Sequence, residues 1–180
     1  MLEQAYGKVC SVRSDINEHL PTLRRLAEQC THVTEFGVRG GNSTTALLAG
    51  SINGKLKKLV SYDINPCTDT VRRLSRLAPV GLFQFANLSS LAATIETTDL
   101  LFIDTLHTGW HLHKEIVRHH QSVRKFIVLH DTEVYGLRGE KGRLGLIYAI
   151  HLFLHRTTGW VVTEHYTNSC GLTVISREQG

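Results

Sequence analysis

Five short runs rich in β-branched and aromatic residues alternate with segments of helical periodicity along most of this 180-residue chain. The runs are Val33–Phe36, Leu59–Tyr62, Leu82–Phe85, Leu100–Ile103 and Phe126–Leu129. The helical segments lie near Thr44–Ala49, Thr70–Leu77, Ser89–Ile95 and Trp110–Gln121. Such alternation is typical of βαβ units, so the pattern predicts an α/β fold in which helices cover both faces of a parallel sheet.

The regions on either side of this alternation extend the prediction. Residues 14–28 carry a helical apolar stripe, and Ser14 or Asp15 could cap that helix. An apolar helix over residues 144–154 precedes two further β runs, Trp160–Thr163 and Leu172–Ile175. These two runs predict an antiparallel hairpin. The whole pattern therefore predicts a Rossmann-like, doubly wound sheet of seven strands.

Length and composition fit one soluble domain, because 42% of the residues are hydrophobic and 20% are charged. We expect a single domain over residues 1–180. Its predicted parts are an N-terminal helical segment (1–30), a cofactor-binding core (31–131), a candidate lid loop (132–143) and a helix with the hairpin (144–180).

Charge and cysteine content argue against several classes of protein. The net charge is +4, but the basic residues are dispersed, so we do not expect nucleic-acid binding. The four cysteines are scattered without a Cys-x-x-Cys pair, which argues against a disulfide framework or a zinc cluster. The sequence shows no signal-peptide pattern and no apolar run of membrane-spanning length, so the expected location is the cytoplasm.

A glycine-rich turn follows the first predicted strand. Gly37, Gly40 and Gly41 lie just after Glu35, and polar residues at 42–44 can cap the next helix. Glycine lets a backbone approach a ligand closely, and a helix N-terminus offers free N–H groups, so the turn predicts a ligand site. Taken alone, the same residues could form only a tight connection between strand and helix.

Polar residues also close the second and third predicted strands. Asp63 ends the second, where a carboxylate can accept hydrogen bonds from ribose hydroxyls, and Asn87 follows the third, where it could reach an adenine edge. Ligands of doubly wound sheets bind beyond the carboxyl ends of the strands, beside the first strand. These residues and the glycine turn together predict a cofactor that contains a nucleoside.

The spacing Glu35-x-Gly37-x-x-x-Gly41 resembles the first motif of class I S-adenosylmethionine-dependent methyltransferases. It differs from the Gly-x-Gly-x-x-Gly of dinucleotide-binding folds. Asp63 takes the place of that family's ribose-binding acid, and the terminal hairpin resembles its last two strands. The resemblance covers the chain from Val33 onward and implies S-adenosylmethionine as cofactor and a strand order of 3-2-1-4-5-7-6. The cofactor contacts that it implies are Glu35, Gly37, Arg39, Gly41, Ser43, Asp63, Asn87 and Asp104.

Carboxylates and imidazoles follow the fourth and fifth predicted strands. Asp104 and His107 lie just past the fourth, and His130 and Asp131 lie just past the fifth. Because these strands are expected to be neighbours, the four side chains should meet at one rim of the sheet. Aspartates at two adjacent strand ends predict a hard-cation site such as one for Mg²⁺. A single carboxylate at either place could instead cap a following helix.

These segments resemble a methyltransferase subgroup that includes the macrocin O-methyltransferases and the cephalosporin hydroxylase-like proteins, several of which bind a divalent metal. The resemblance implies Asp104 and Asp131 as metal ligands, and Asp104 and His107 as catalytic residues, with His107 as the general base. The chain departs from the subgroup at His130, where relatives often carry a second carboxylate. His130 as a further ligand would favour Mn²⁺ or Zn²⁺ over Mg²⁺.

We therefore expect a methyltransferase that acts on an oxygen of a small molecule. Two alternatives remain open, a nicotinamide-dependent oxidoreductase on the same fold and a non-catalytic module that binds S-adenosylmethionine. The loop over residues 132–143 is either a substrate lid or a solvated basic loop. Two copies of the chain could complete each other's pocket as a homodimer. Other histidines, His111, His113, His119 and His120, are expected on the surface.

Overall fold

In the computed structural model, which describes residues 1–178, seven strands form one sheet. They are β1 (His32–Phe36), β2 (Lys58–Asp63), β3 (Phe83–Asn87), β4 (Thr98–Ile103), β5 (Val123–His130), β6 (Trp160–Tyr166) and β7 (Leu172–Arg177). Their order is β3-β2-β1-β4-β5-β7-β6. The first five strands are parallel, and β7 is antiparallel to both β5 and β6. The predicted fold class, strand order and terminal hairpin are confirmed.

Six α-helices accompany the sheet within the described residues. They are α1 (Leu2–Ser11), α2 (Leu20–Glu28), α3 (Asn42–Asn53), α4 (Thr68–Leu77), α5 (Gly109–His119) and α6 (Leu146–Arg156). Short 3₁₀ turns lie at Asn17–His19, His120–Ser122 and Glu140–Gly142. None of the helices in residues 1–178 has the length and apolar character needed to cross a membrane.

The N-terminal helix predicted over residues 14–28 begins later than expected. α2 starts at Leu20, with Pro21 in its first turn. Proline has no N–H and its ring clashes with the carbonyl four residues earlier, so an α-helix cannot run through it from residue 14. Neither Ser14 nor Asp15 caps a helix. α1 was not predicted, although Leu2 and Tyr6 have helical spacing.

The helix predicted over Ser89–Ile95 was wrong, because the connection from β3 to β4 is a single turn and extended chain. These two strands have β2 and β1 between them, so the chain must cross roughly 14 Å sideways and about 17 Å back along the sheet. Ten residues connect them, which span about 15 Å as a helix but up to about 33 Å when extended. A helix is too short for this crossing.

The sheet is packed on both faces, which fixes the strand ends. Leu23 of α2 and Leu47 of α3 pack in one core with Phe102 of β4. Ile116 of α5 and Phe153 of α6 pack in the other. Every residue of β4 is buried. The carboxyl ends of β1, β4 and β5 are therefore held rigidly, and the candidate site lies there.

Candidate active site

The turn after β1 approaches the end of β4 so closely that only glycine fits at its first position. Gly37 has φ +91°, a conformation that L side chains rarely adopt, and a Cβ there would lie 1.9 Å from the Asp104 carbonyl oxygen. Gly41 also has a positive φ, +77°, and is the N-cap of α3. A Cβ at Gly40, by contrast, would meet no atom within 4 Å. The turn after β1 therefore packs directly against the backbone at the end of β4.

Asp63, at the end of β2, holds the turn through its side chain. Its Oδ2 accepts hydrogen bonds from the N–H groups of Val38 (2.8 Å) and Arg39 (3.1 Å), and its Oδ1 accepts one from Asn65 (2.8 Å). Burial alone would raise the pKa of Asp63, but these three N–H donors outweigh it and lower that pKa. The Cys67 thiol also contributes a hydrogen bond that lowers this pKa. Of the three backbone donors only Asn65 bonds to Oδ1, so this oxygen is the one that can also accept a ligand hydroxyl.

Glu35 lies beneath the turn and does not line either cavity described below. It is fully buried and accepts hydrogen bonds from Ser43 Oγ (2.7 Å) on α3 and Ser61 Oγ (2.6 Å) on β2. Burial raises the pKa of Glu35 to about 7 although both hydroxyls favour the ionised form. The side chain therefore joins β1, β2 and the start of α3, and its contact with a ligand is indirect, through Ser43.

Glu35→Gln is expected to make the protein more stable at pH 8 and to have a much smaller effect at pH 5. The folded state raises this pKa to about 7, so it favours the protonated acid. That stabilisation is complete below the unfolded pKa of about 4.3 and is lost as the pH rises through 7. A neutral amide avoids this loss, which is about 4 kcal/mol at pH 8 for a pKa that rises from about 4.3 to about 7.

Urea unfolding of wild type and Glu35→Gln at both pH values measures this difference. Glu96→Gln, at an exposed carboxylate shortly before β4, is the control and should show no gain at pH 8. A Glu35→Gln protein that is less stable than wild type at pH 8 would show that the ionised form is the one the fold prefers.

Two cavities lie at the carboxyl edge of the sheet. The larger, of about 400 Å³, has exposed apolar side chains and Asp63 in its wall. The smaller, of about 140 Å³, lies between the glycine turn and Asp15. Gly37, Arg39, Asp104 and Thr105 line both cavities. The two cavities therefore meet where the ends of β1 and β4 come together.

An ion pair crosses the smaller cavity. Arg39 Nη2 lies 2.6 Å from Asp15 Oδ2, which joins the glycine turn to the N-terminal segment. The other oxygen, Asp15 Oδ1, is buried and has no hydrogen-bond partner among the described residues. The main-chain oxygen of Asp15 also accepts a hydrogen bond from Ser169 Oγ (2.8 Å). A carboxylate with an unused buried oxygen is suited to a cationic group of a ligand.

A cluster of carboxylates and imidazoles borders the junction of the cavities. His107 Nε2 lies 2.7 Å from Asp131 Oδ2 and 3.4 Å from Asp104 Oδ1, while its Nδ1 lies 2.7 Å from Glu140 Oε1. The ring stacks on Tyr135, with centroids 4.5 Å apart. The loop over residues 132–143 thus supplies two groups that orient His107. Asp131 itself has φ +60°, so the chain bends sharply to bring its carboxylate inward.

His130 lies beneath this cluster. Its Nδ1 is 3.4 Å from Asp131 Oδ2 and 3.6 Å from Asp104 Oδ2, and this buried nitrogen makes no hydrogen bond to the described residues. Its Nε2 is 3.3 Å from the main-chain oxygen of Asp15. A buried imidazole nitrogen that faces two carboxylates without a hydrogen bond is able to serve as a ligand atom for a divalent cation.

The carboxylates control the charge of both rings. Burial disfavours the imidazolium of His107, but Asp104, Asp131 and Glu140 outweigh it and raise the pKa of His107 to about 10. Burial opposes the charged form of His130 too, and Asp104 and Asp131 raise its pKa to about 9. The same contacts hold the pKa values of Asp104 and Asp131 below their usual range against the effect of burial.

The residues that could hold a divalent cation are therefore grouped. One ligand atom each from Asp104, His107 and Asp131 lies within 4.8 Å of the others. The sequence predicted Asp104, His130 and Asp131 for this role, and His130 Nδ1 also faces the two aspartates. Two carboxylates with imidazole nitrogen suit Mn²⁺ or Zn²⁺ as well as Mg²⁺.

Residues 34–132, more than half of the 180-residue chain, match the protein family described as a methyltransferase domain. The chain belongs to this methyltransferase family. A comparison of the methyltransferase with curated protein sequences gives no match.

Solved structures share the fold of the methyltransferase at low sequence identity. The O-methyltransferase TomG from Streptomyces achromogenes, in complex with SAM, is 16% identical with a TM-score of 0.69, over 93% of this chain and 82% of its own. An O-methyltransferase from Bacillus cereus, in complex with SAH, is 17% identical with a TM-score of 0.65, over 98% of this chain and 89% of its own. The N-methyltransferase NodS from Bradyrhizobium japonicum is 16% identical with a TM-score of 0.68, over 92% of this chain and 97% of its own.

The predicted site residues of the methyltransferase fall into three groups. Asp104, His107, His130 and Asp131 meet in one cluster, and Gly37, Arg39, Gly41, Ser43 and Asp63 line a cavity. Glu35 lies below the turn. Asn87 does not line the larger cavity, because its amide donates to the Asp63 carbonyl (2.9 Å) while its neighbours Leu88 and Ser89 face that cavity.

Three acidic residues of this region, namely Asp15, Glu115 and Glu140, were not among the predicted site residues, although the segment from Asp15 to His19 was expected either to fold over the cofactor or to cover the sheet. Glu140 and Asp15 reach the site from loops far away in the sequence, and no motif marks them. His119 was expected on the surface, but it is buried, with its Nε2 2.8 Å from the Ser90 carbonyl. Its position on the apolar stripe of α5 with Leu112 and Ile116 was the available signal.

Proposed function

We propose that the methyltransferase transfers a methyl group from S-adenosylmethionine to an oxygen of a small molecule. The observation that carries this proposal is the junction of two unlike cavities at Gly37 and Asp104, beside the cluster of His107 and Asp131. The larger, apolar cavity suits an adenosine, and the smaller, polar one suits an aminoacyl group. The sulfonium that joins these two parts then lies next to the cluster.

The residues of the glycine turn and β2 have distinct roles in this proposal. Asp63 Oδ1 accepts a hydrogen bond from a ribose hydroxyl. Gly37 and Gly41 let the backbone approach the ligand, while Arg39 and Ser43 face the aminoacyl end in the smaller cavity. Glu35 holds Ser43, and Asn87 holds the Asp63 backbone. The SAM in TomG and the SAH in the Bacillus cereus enzyme support the choice of cofactor.

The chemistry of the cluster supports an oxygen acceptor. A neutral amine can attack the methyl group without assistance, whereas a hydroxyl must lose its proton and carries negative charge as it reacts. Two aspartates and two imidazoles at the junction can hold a proton or a cation at that place. A divalent cation held by Asp104 and Asp131, with imidazole nitrogen from His130 or His107, would lower the pKa of an acceptor hydroxyl.

The transfer itself requires little beyond positioning. The acceptor oxygen forms a bond to the methyl carbon as the bond from that carbon to sulfur breaks, and S-adenosylhomocysteine leaves with the electron pair. His107 Nε2 takes up the acceptor proton when the ring is neutral. When the ring is charged, as its raised pKa of about 10 favours near neutral pH, it stabilises the developing oxyanion while the Asp104 carboxylate takes up the proton. Asp131 and Glu140 orient the ring from its two sides.

The glycine turn argues against the nicotinamide alternative. A dinucleotide site needs free N–H groups of this turn for the pyrophosphate. Here the N–H groups of Val38 and Arg39 are already bonded to the Asp63 carboxylate, which would also repel a phosphate. A sulfonium cofactor has no such requirement.

Calorimetric titration with S-adenosylhomocysteine, with and without Mn²⁺ or Mg²⁺, tests the proposal. We expect binding in the micromolar range, much weaker binding of 5′-methylthioadenosine, which lacks the aminoacyl group, and no binding of NADH. Absence of S-adenosylhomocysteine binding under every condition would contradict the proposed cofactor. Binding that is unaffected by metal would contradict the metal-assisted form only, and binding without methyl transfer to phenols or alcohols would favour the non-catalytic module.

A further inference from the structure

A buried carboxylate behind the larger cavity has no part in the proposed transfer. Glu115, on α5, is 0% exposed. Its carboxylate accepts hydrogen bonds from Ser90 Oγ at 2.5 Å and from Thr105 Oγ1 at 2.9 Å, and His111 Nε2 lies 3.2 Å from it. Ser90, Thr105 and His111 all line the larger cavity. One side chain therefore organises three residues of the cavity wall.

The direction of these hydrogen bonds determines what the wall offers to a ligand. A hydroxyl has a single hydrogen, and Ser90 Oγ and Thr105 Oγ1 both donate theirs to the Glu115 carboxylate. Ser90 Oγ and Thr105 Oγ1 then have only acceptor lone pairs left. A ligand edge that faces these two hydroxyls can bond to them only by donating hydrogen.

The backbone of Ser90 is held independently of its hydroxyl. His119 Nε2 lies 2.8 Å from the Ser90 carbonyl oxygen, and both groups are buried. Ser90 lies in the turn of the connection between β3 and β4, which has no helix to fix it. Glu115 and His119, both on α5, therefore fix the side chain and the main chain of this residue.

The same cavity is built to take a flat ring. Ile64, Leu88 and Leu106 are large apolar side chains with exposed fractions of 72%, 41% and 43%, and all three line it. Apolar side chains gathered around one cavity mark a binding site for an apolar face. A purine held between such side chains presents its polar edge to the cavity wall.

We propose that Glu115 is a positioning residue that makes this cavity selective for a purine with an amino group at position 6. Adenine offers an N–H donor there, which matches the acceptor lone pairs of Ser90 and Thr105. Hypoxanthine offers a carbonyl oxygen, whose lone pairs would face those of the hydroxyls. The inference rests on the proposed function, because it takes the larger cavity as the adenosine site.

Calorimetry with S-adenosylhomocysteine and S-inosylhomocysteine, which carries oxygen in place of the 6-amino group, tests the proposal. We expect wild type to bind the inosine compound about 30-fold more weakly, the effect of one lost hydrogen bond and one unpaired buried group. Ser90→Ala should reduce this ratio to a few-fold, because it weakens the binding of S-adenosylhomocysteine. In Glu115→Gln the amide N–H can donate to Ser90 Oγ and turn the hydroxyl hydrogen toward the cavity, so the ratio should also fall.

The outcomes separate this inference from the proposed function. Failure of S-adenosylhomocysteine to bind wild type overturns both. Equal binding of the two purines by wild type overturns only the role of Glu115. The same conclusion follows if Ser90→Ala keeps the wild-type ratio of affinities for the two compounds. Ser90→Ala tests the wall of the larger cavity even if Glu115→Gln does not fold. Ser51→Ala, whose hydroxyl bonds to the Leu48 carbonyl within α3, is the matched control and should keep the ratio.

Discussion

Gly37→Ala is expected to weaken S-adenosylhomocysteine binding at least 100-fold and to lower the melting temperature by about 10 °C. The new Cβ would lie 1.9 Å from the Asp104 carbonyl oxygen, so the ends of β1 and β4 must separate by roughly 1 Å. The positive φ adds strain of about 1–2 kcal/mol. A total cost near 3 kcal/mol corresponds to such a shift in a domain of this size.

The neighbouring glycine provides the control for this change. Gly40 has an ordinary φ, and a Cβ there meets no atom within 4 Å. Gly40→Ala should therefore unfold at nearly the same temperature as wild type, and any loss of affinity should be far smaller than that of Gly37→Ala. Equal behaviour of the two variants, measured by calorimetry and thermal unfolding, would show that the contact between the turn and Asp104 does not shape the site.

His107→Ala is expected to reduce methyl transfer by about 10²- to 10⁴-fold, the usual range for loss of a general acid–base group. The variant removes the imidazole that Asp131 and Glu140 orient at the junction of the cavities. It leaves the glycine turn and Asp63 unchanged, so S-adenosylhomocysteine should bind within a few-fold of wild type. The measurement is transfer of labelled methyl to the best acceptor found among phenols and alcohols.

His155→Ala is the matched control, because His155 is exposed in the last turn of α6, at the opposite end from Leu146, whose N–H bonds to the Tyr135 carbonyl. It should retain full activity. A His107→Ala protein with wild-type kcat would remove His107 from the catalytic mechanism. A loss of cofactor affinity equal to the loss of kcat would instead indicate that His107 supports the structure of the site.

The sequence predicted the sheet well because parallel, buried strands have a simple signature. β4 is buried along its whole length, and its continuous apolar run is typical of such strands. The helix predicted over Ser89–Ile95 was wrong because this segment connects β3 to β4 across two other strands, and that distance requires an extended chain. The order of the strands is not contained in a local sequence pattern. The start of α2 was also misplaced, although Pro21 was visible in the sequence.

The site was predictable where a residue follows directly from a strand end. Asp63, Asp104 and Asp131 end strands or follow them by one residue, so the fold alone places them at one edge. Asp15 and Glu140 reach the site through loop geometry that local patterns do not encode. Glu115 was detectable, because it lies with Leu112 and Ile116 on the buried face of α5, where a charged residue needs partners.

The pair of Asp15 and Arg39 gives the smaller cavity a particular electrostatic property. Its two charges cancel, and an aminoacyl group, with one ammonium and one carboxylate, also has no net charge. Replacing the internal pair by contacts to the ligand leaves the total charge of this end unchanged. An exposed pair of this kind contributes less than about 1 kcal/mol, so its rupture is a small cost. Recognition of the aminoacyl end should therefore depend on close fit, with little sensitivity to ionic strength.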